Sequence, residues 1–317
     1  MNWMKFPKVK QKNIRNMNTR MPYLKRSILV IASLFTLIIF ALLVGATRKN
    51  DEKAQAQQII ERMRESIFGS LPVGNIKGLS LTWKKRRYFR LAGVQETGET
   101  NIDLQLPDKM VIRDLSALPS TGGQTTSYRV LNGTESGADF RSSSGEIRVI
   151  RPPADDDPVK RLQKVRESQA FQLIRLALPP SPDFPLIFSY AGEAKASDGQ
   201  ANIIDVKGPD EFSARLFIDK STFHLLMMTF TVQGFTTFKM TSRDLKGEKG
   251  GIPQNIPVGK IEIKIRCLEY NQVNGVTLPH LVTQEQNGQV TEESELGSFK
   301  LNPDFAPDHF DPNKKRK

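Results

Sequence analysis

Hydrophobic and polar positions follow three different patterns along the chain, and each pattern predicts a different kind of element. Residues 28–46 are almost uniformly apolar, whereas residues 51–68 carry apolar side chains at helical spacing. After residue 76 most apolar positions alternate with polar ones, which is typical of strands with one buried face. The sequence therefore predicts an apolar segment, an amphipathic helix and then mostly β-structure.

The apolar segment has the length of a membrane span. Its nineteen residues would extend about 28 Å as a helix, close to the ~30 Å thickness of a bilayer core. The 26 residues before it hold eight cations and no acid, which predicts a cytoplasmic N-terminus and an exported remainder. We favour an uncleaved, single-pass inner-membrane anchor over 27–47. A signal peptide cleaved after Ala46 is the open alternative, and it would release the protein into the periplasm.

A helix is predicted directly after this segment. Asn50 or Asp51 can cap its N-terminus, and Gly69 followed by Pro72 ends it near Phe68. The apolar stripe that would face a core is formed by Ala56, Ile59, Ile60, Met63 and Ile67.

Two blocks of antiparallel strands are predicted, one over 76–150 and one over 185–300, with a helix at 158–178 between them. Glycines at 98, 122–123, 133, 137 and 145 are interpreted as turns of the first block. The predicted strands of the second block are 201–207, 212–219, 223–232, 235–243, 260–270, 277–286 and 289–300.

The predicted fold class is therefore α+β. After an N-terminal transmembrane helix, a curved antiparallel sheet forms an incomplete β-barrel, and helices close its concave side. The predicted divisions are a basic cytoplasmic leader (1–26), the apolar segment (27–47), a single periplasmic domain (50–311) and a basic tail (312–317).

The net charge of +12 does not indicate nucleic-acid binding. The leader carries eight of the 46 cations and the last four residues carry four more, so the cations of the remainder balance the 34 acids. One internal basic run, Trp83 followed by residues 84–87, is interpreted as the tip of a hairpin. That tip could be solvated, or it could touch anionic lipid head groups with Trp83 at the interface.

The candidate chemistry is sparse. The chain contains none of the common catalytic or phosphate-binding motifs, and its three histidines, His224, His280 and His309, are too scattered for a metal site. Cys267 is the only cysteine and is expected to be buried in a strand. We therefore expect no enzymatic activity, no metal and no cofactor.

Apolar residues exceed what one face of the sheet needs, and residues 170–178 are apolar on nearly all sides of their predicted helix. This surplus predicts a cavity for an apolar ligand, although the same residues could simply form the core. The candidates on the helix and in the sheet are Phe171, Leu173, Ile174, Leu178, Leu186, Phe188, Leu216, Ile218, Leu225, Met227, Phe230, Phe238 and Met240.

Four stretches of the sequence resemble bacterial lipoprotein-sorting carriers of the LolA/LolB type. They are LPDKM (106–110), the run DVKGPDEFSARLFIDKSTFHLLMM (205–228), NGVTLPHLV (274–282) and FKLNPDF (299–305). The resemblance covers about 76–311 and carries no catalytic signature. It implies an incomplete antiparallel barrel, closed by helices, around an apolar cavity that accepts acyl chains.

The resulting functional hypothesis is a membrane-anchored periplasmic protein that binds the acyl chains of lipids or lipoproteins, in the context of lipoprotein sorting. Its expected partners are such acyl chains, the inner membrane and an envelope protein, without nucleic acid. The alternative hypothesis is an envelope-sensing or assembly module that binds a protein partner.

Overall fold

The computed structural model describes the chain from residue 51 onward, with gaps. The described residues are 51–89, 94–118, 123–143, 162, 165–168, 172, 177–182, 184–196, 199–236 and 256–314. The chain divides into two compact units, Met1–Asp51 and Glu52–Lys317, and the second is described here. The predicted leader and apolar segment lie outside the described residues, so they and the predicted domain boundaries remain predictions. Among the described residues, no helical stretch has the length and apolar character of a membrane span.

The predicted first helix is confirmed. Helix α1 occupies residues 51–68, and all five residues of its predicted apolar stripe are buried. Gly69 follows with φ of 58°, the left-handed conformation in which glycine commonly ends a helix. A short 3₁₀ turn, Val73–Asn75, then leads into the sheet.

Twelve antiparallel strands form one open sheet within the described ranges, which confirms the predicted sheet. The first block supplies β1 (Gly78–Phe89), β2 (Val94–Gln105), β3 (Lys109–Leu118), β4 (Gly123–Asn132) and β5 (Glu135–Ser142). The second block supplies β6 (Ile187–Ala196), β7 (Gly199–Lys207), β8 (Ser213–Asp219), β9 (Leu225–Thr236), β10 (Ile256–Val273), β11 (Val276–Gln286) and β12 (Gln289–Leu301).

Each block is a meander of consecutive strands, and pairing of β1 with β12 joins the two blocks. One large core cluster contains side chains from both blocks together with α1. The sheet therefore curves around the helix. We call the face that α1 contacts the inner face and the opposite one the outer face.

Several predicted turns are wrong because charge or glycine content was given more weight than alternation. Residues 84–87 lie within β1 rather than at a hairpin tip, and Trp83 is buried in the core rather than placed at a membrane interface. Gly98 and Gly137 lie inside β2 and β5. Gly234 lies inside β9, where it pairs with Gly259 of β10, so the two strands predicted over 223–243 are one strand as far as residue 236.

Other local predictions are confirmed. Asn274 and Gly275, which lie between the strands predicted over 260–270 and 277–286, form a turn with positive φ angles of 52° and 81°. Cys267 is buried in β10, as expected. Residues 162, 165–168 and 172 are helical, in agreement with the predicted helix at 158–178. Residues 177–178, the predicted end of that helix, are not helical, and Ala177 has a left-handed φ of 54°. The remainder of the predicted helix lies outside the described residues.

Candidate functional site

The inner face changes from apolar to polar along strand β1. Leu79, Leu81 and Trp83 point into the core, and the next two positions of the same alternation are Lys85 and Arg87. Because side chains alternate between faces along a strand, these two cations share the inner face with the core residues. The side chain of Lys85 is only 1% exposed.

Lys85 reaches an acid two strands away. Its Nζ donates to Oδ1 of Asp114 at 2.7 Å, and the hydroxyl of Thr100 donates to the same oxygen at 2.6 Å. Lys85 is on β1 and Asp114 is on β3, so the lysine side chain crosses β2, where Gly98 stands directly opposite Lys85. A Cβ at Gly98 would lie 2.1 Å from the carbonyl oxygen of Leu115, so this position requires glycine.

The charge of Asp114 is stabilised by its neighbours. Burial by itself raises the pKa of Asp114, but the hydrogen bonds from Lys85 and Thr100 and the charges of Lys85 and Arg129 outweigh it. The net result is a pKa below the ordinary value. Asp114 is therefore ionised at neutral pH, and Lys85 has a partly buried counter-ion.

A second charge pair lies farther along β1. Nε of Arg87 donates to Oε2 of Glu292 at 2.6 Å, and the hydroxyl of Ser294 donates to the other carboxylate oxygen at 3.0 Å. Glu96, a buried acid on β2, is the cross-strand partner of Arg87. This end of the polar region is thus formed by one guanidinium and two carboxylates.

A cavity of about 420 Å³ lies between these polar groups and the helical residues Ser168 and Gln172. Five apolar side chains of the described residues line it: Trp83, Ile102, Ile112, Phe230 and Ile265. The polar side chains of its described wall include Arg87, Thr100, Asp114, Arg129, Gln284, Gln286, Glu292 and Ser294. Its volume falls in the range of small-molecule sites. Its described lining is amphiphilic, whereas the sequence predicts a purely apolar one.

The predicted cavity residues are distributed over several environments. Leu178, Leu216, Ile218 and Leu225 are buried in the core, and Leu186 and Phe188 pack at its margin. Phe230 lines the cavity. Met227 is half-buried and pairs with Phe217, which also lies outside the core cluster. Phe171, Leu173, Ile174, Phe238 and Met240 lie outside the described residues. The assignment of these residues to a ligand cavity remains a prediction.

Sequence reasoning missed the polar side chains that line the cavity. The signal was present, because the alternation of Leu79, Leu81 and Trp83 continues without a break to Lys85 and Arg87. The four adjacent cations instead predict a hairpin tip, either solvated or in contact with lipid head groups. The acids that neutralise these cations are remote in sequence, and only strand register brings them close.

The histidines have local partners. His224 stacks on Tyr270 with ring centroids 4.1 Å apart, and Nε2 of His309 lies 2.8 Å from Oδ2 of Asp103. His280 is 3.4 Å from Glu295. The described part of the chain holds no group of three or more metal-ligating side chains.

Comparison with solved structures gives matches that cover most of the chain. A LolA superfamily protein from Nitrosomonas europaea matches 80% of this chain and 96% of its own, with 12% identity and a TM-score of 0.42. A DUF1329 family protein from Desulfovibrio piger matches 82% and 97%, with 10% identity and a TM-score of 0.43. A domain assigned to outer membrane lipoprotein sorting from Vibrio parahaemolyticus matches 82% and 98%, with 9% identity and a TM-score of 0.41.

The chain is similar to LolA superfamily structures. This is the family that its sequence phrases resemble. No protein-family model matches the sequence, and no curated protein matches it significantly. Likenesses at these TM-scores carry no argument about function, so a function has to be argued from the chain's own residues.

Proposed function

We propose that this chain is a non-enzymatic, membrane-anchored periplasmic protein that binds the acyl chains of a lipid or lipoprotein at its inner face. The observation that carries the proposal is the amphiphilic cavity beneath Ser168 and Gln172. A guest with a hydrocarbon chain and a polar head group would match both parts of its lining.

The physical reason is the cost of exposing hydrocarbon to water. Each CH₂ group transferred from a bilayer to water costs about 0.8 kcal/mol. Of the five apolar side chains at the cavity, Phe230 is half-buried and would contact the hydrocarbon, whereas Trp83, Ile102, Ile112 and Ile265 are only 2–6% exposed. The polar wall keeps the head group hydrogen-bonded, and an unsatisfied buried polar group would be unfavourable.

The location follows from the sequence and is part of the same proposal. An anchor over 27–47 would keep the N-terminus in the cytoplasm and hold the domain at the periplasmic side of the inner membrane. Only four residues separate the end of the apolar run at Ala46 from α1 at residue 51. The cavity would then stay near the membrane that supplies its guest.

Fluorescence quenching can test acyl-chain binding in the full-length chain. Trp3→Phe leaves Trp83, which lines the cavity, as the sole tryptophan. The protein is kept in non-ionic detergent and titrated with a neutral monoacylglycerol whose acyl chain is brominated. We expect saturable quenching of Trp83. Phe230→Glu should weaken binding by at least about tenfold, because it removes apolar contact and adds a charge beside the hydrocarbon.

The matched control is Ile187→Glu, since Ile187 is 55% exposed on edge strand β6. It should leave quenching unchanged, and it also corrects for any lipid bound to the detergent or to the N-terminal segment. Circular dichroism establishes that both variants fold. Absence of saturable quenching in the parent protein, together with no lipid in solvent extracts of the purified chain, would overturn the proposal.

A protein partner is the second candidate function, and one observation favours it. Leu226 and Leu268 are 37% and 41% exposed, and the half-buried Ile203, Phe217 and Met227 form a cross-strand row beside them. These side chains lie outside the core cluster. A photo-crosslinker placed at position 226 tests this candidate. Reproducible capture of one envelope protein would support it, provided that a crosslinker at the exposed control position Val290 captures none.

A further inference from the structure

Arg129 has hydrogen-bonding capacity that its described neighbours do not use. Its guanidinium offers five N–H donors, and its one hydrogen bond to a described residue is a long contact of 3.3 Å from Nη2 to Oδ2 of Asp114. The arginine side chain is 47% exposed and lines the cavity. Donors therefore remain available on the cavity side.

The charges nearest to Arg129 leave a positive excess at that end of the cavity, whereas Arg87 and Arg129 together are matched by Asp114 and Glu292 over the whole described wall. Asp114 is the carboxylate that neutralises the region, and it already accepts from Lys85 and Thr100 at its other oxygen. Two cations, Lys85 and Arg129, thus share one acid. An arriving anion would balance this excess.

The other acid of the same cavity wall, Glu292, lies toward the Arg87 end. Arg129 stands in a cross-strand row with Ile112, Ile102 and Leu81, whereas Arg87 lies six residues farther along β1 than Leu81. At the strand rise the Cα atoms of Leu81 and Arg87 are roughly 20 Å apart, although the side chains of Arg87 and Arg129 line one cavity. Glu292 and Glu96 are partners of Arg87, so their charges act mainly at that end.

The apolar floor begins directly beside the guanidinium. Ile112 is the cross-strand partner of Arg129, and Ile102 is the next residue of the same row. Both isoleucines line the cavity. An oxyanion on Arg129 would therefore place an attached hydrocarbon chain over these two side chains.

We propose that Arg129 binds an oxyanion, such as a phosphate or carboxylate, that forms the head group of the amphiphile held in the cavity. This inference rests on the proposed function and narrows its guest to anionic amphiphiles. Guanidinium groups suit this role because they donate paired, charge-assisted hydrogen bonds to planar or tetrahedral oxyanions. Lys85 holds Asp114 in place through a hydrogen bond, and its buried side chain does not contact the guest.

The test compares two guests that differ only by a phosphate. Full-length Trp3→Phe protein in non-ionic detergent is titrated with a brominated monoacylglycerol and with the corresponding monoacylglycerol phosphate, and quenching of Trp83 gives both affinities. We expect the phosphate form to bind about tenfold more tightly, the effect of one charged hydrogen-bonding contact. Arg129→Gln should remove most of this preference without changing the affinity for the neutral guest. Arg129→Lys should retain part of it.

The matched control is Arg215→Gln, which removes an exposed arginine that hydrogen-bonds to Asp205 on the same sheet. It should keep the full preference. Thermal melts check that each variant is folded. Arg129→Lys keeps the positive charge beside Asp114 and should melt as the parent protein does.

The outcomes separate this inference from the proposed function. If both guests bind equally and Arg129→Gln changes neither, the oxyanion site is overturned while acyl binding stands. If neither guest quenches Trp83, the proposed function fails first. A titration with inorganic phosphate distinguishes the source of the anion. If phosphate displaces the phosphorylated lipid in parent protein but not in Arg129→Gln, the oxyanion site is supported and recognition lies in the phosphate group.

Discussion

At the scale of single residues, Lys85 links the core to the polar wall of the cavity. A lysine side chain that is 1% exposed is costly to bury as a charge unless it is paired and hydrogen-bonded. Asp114 supplies that pairing across the intervening strand β2, where Gly98 is the cross-strand partner of Lys85. The pair orders the wall on which Arg129 stands.

Removing Lys85 should destabilise the protein strongly. Lys85→Met leaves Asp114 ionised and partly buried without its main counter-ion, and we expect a loss of about 3 kcal/mol in the free energy of unfolding. Urea unfolding of the full-length chain in non-ionic detergent, followed by circular dichroism, measures it. Lys84→Met, an exposed neighbour on the same strand, should cost less than about 0.5 kcal/mol.

A double variant separates loss of the lysine from loss of the pair. Lys85→Met combined with Asp114→Leu replaces both charges by apolar groups and should recover much of the lost stability. If the double variant is as unstable as Lys85→Met alone, the unpaired carboxylate is not the cause of the destabilisation.

His224 should make stability depend on pH near neutrality. Burial lowers the pKa of His224 below its ordinary value of 6.5, and Asp219 only partly opposes this. The unfolded chain therefore binds more protons, so the stability that His224 contributes is complete above pH 6.5 and is lost as pH falls through the folded pKa. His224→Gln should reduce the drop in urea midpoint between pH 8 and pH 5.5. An unchanged drop would contradict this.

At the scale of elements, the segment after β12 fastens the outer face of the first block. Phe310 is buried against Val111, Tyr128 and Val130, and Phe305 packs against this cluster. His309 approaches Asp103 of β2 and stacks on Phe305, with ring centroids 4.9 Å apart. Residues 305–312 thus tie neighbouring strands together from the side opposite α1.

Gly137 is where this segment meets strand β5. A Cβ at this position would lie 2.5 Å from the carbonyl oxygen of Pro312 and 3.0 Å from its Cβ. Gly137→Ala should therefore displace the segment, with faster hydrogen exchange over residues 305–314 and a stability loss of about 1–3 kcal/mol. Hydrogen-exchange mass spectrometry measures the local effect. Gly74→Ala, where an added Cβ meets nothing within 4 Å, is the control and should leave that exchange unchanged.

Elements with a strong local pattern of apolar residues could be predicted from the sequence. Features that depend on which distant strands pair with each other could not. The stripe of α1 and its ending at Gly69 are local properties of the sequence, and both are confirmed. The turn predicted at the basic run of β1 is wrong. The acids that pair with these cations, Asp114, Glu292 and Glu293, are distant in the chain, so the local sequence does not show that the charges are neutralised within a sheet. The sequence predicts a break between residues 232 and 235 because the register that places Gly234 opposite Gly259 is not visible locally.

At the scale of the whole molecule, the cavity belongs to both blocks of the sheet. The strand residues of its described lining come from β1–β4 on one side and from β9–β12 on the other. Pairing of β1 with β12 brings these strands together, although about two hundred residues separate them in the chain. The proposed guest would therefore touch strands from both blocks.

The sequence by itself determined the antiparallel sheet, the first helix with its buried stripe, the buried cysteine and the resemblance to lipoprotein-sorting carriers. Periodicity over ten or twenty residues is enough for these, because it reflects which side of an element meets water. The tertiary structure alone decided that Lys85, Asp114, Arg87 and Arg129 share the inner face beside the cavity. Strand register and the β1–β12 pairing create that proximity, and no local pattern records which distant acid will lie opposite a given cation.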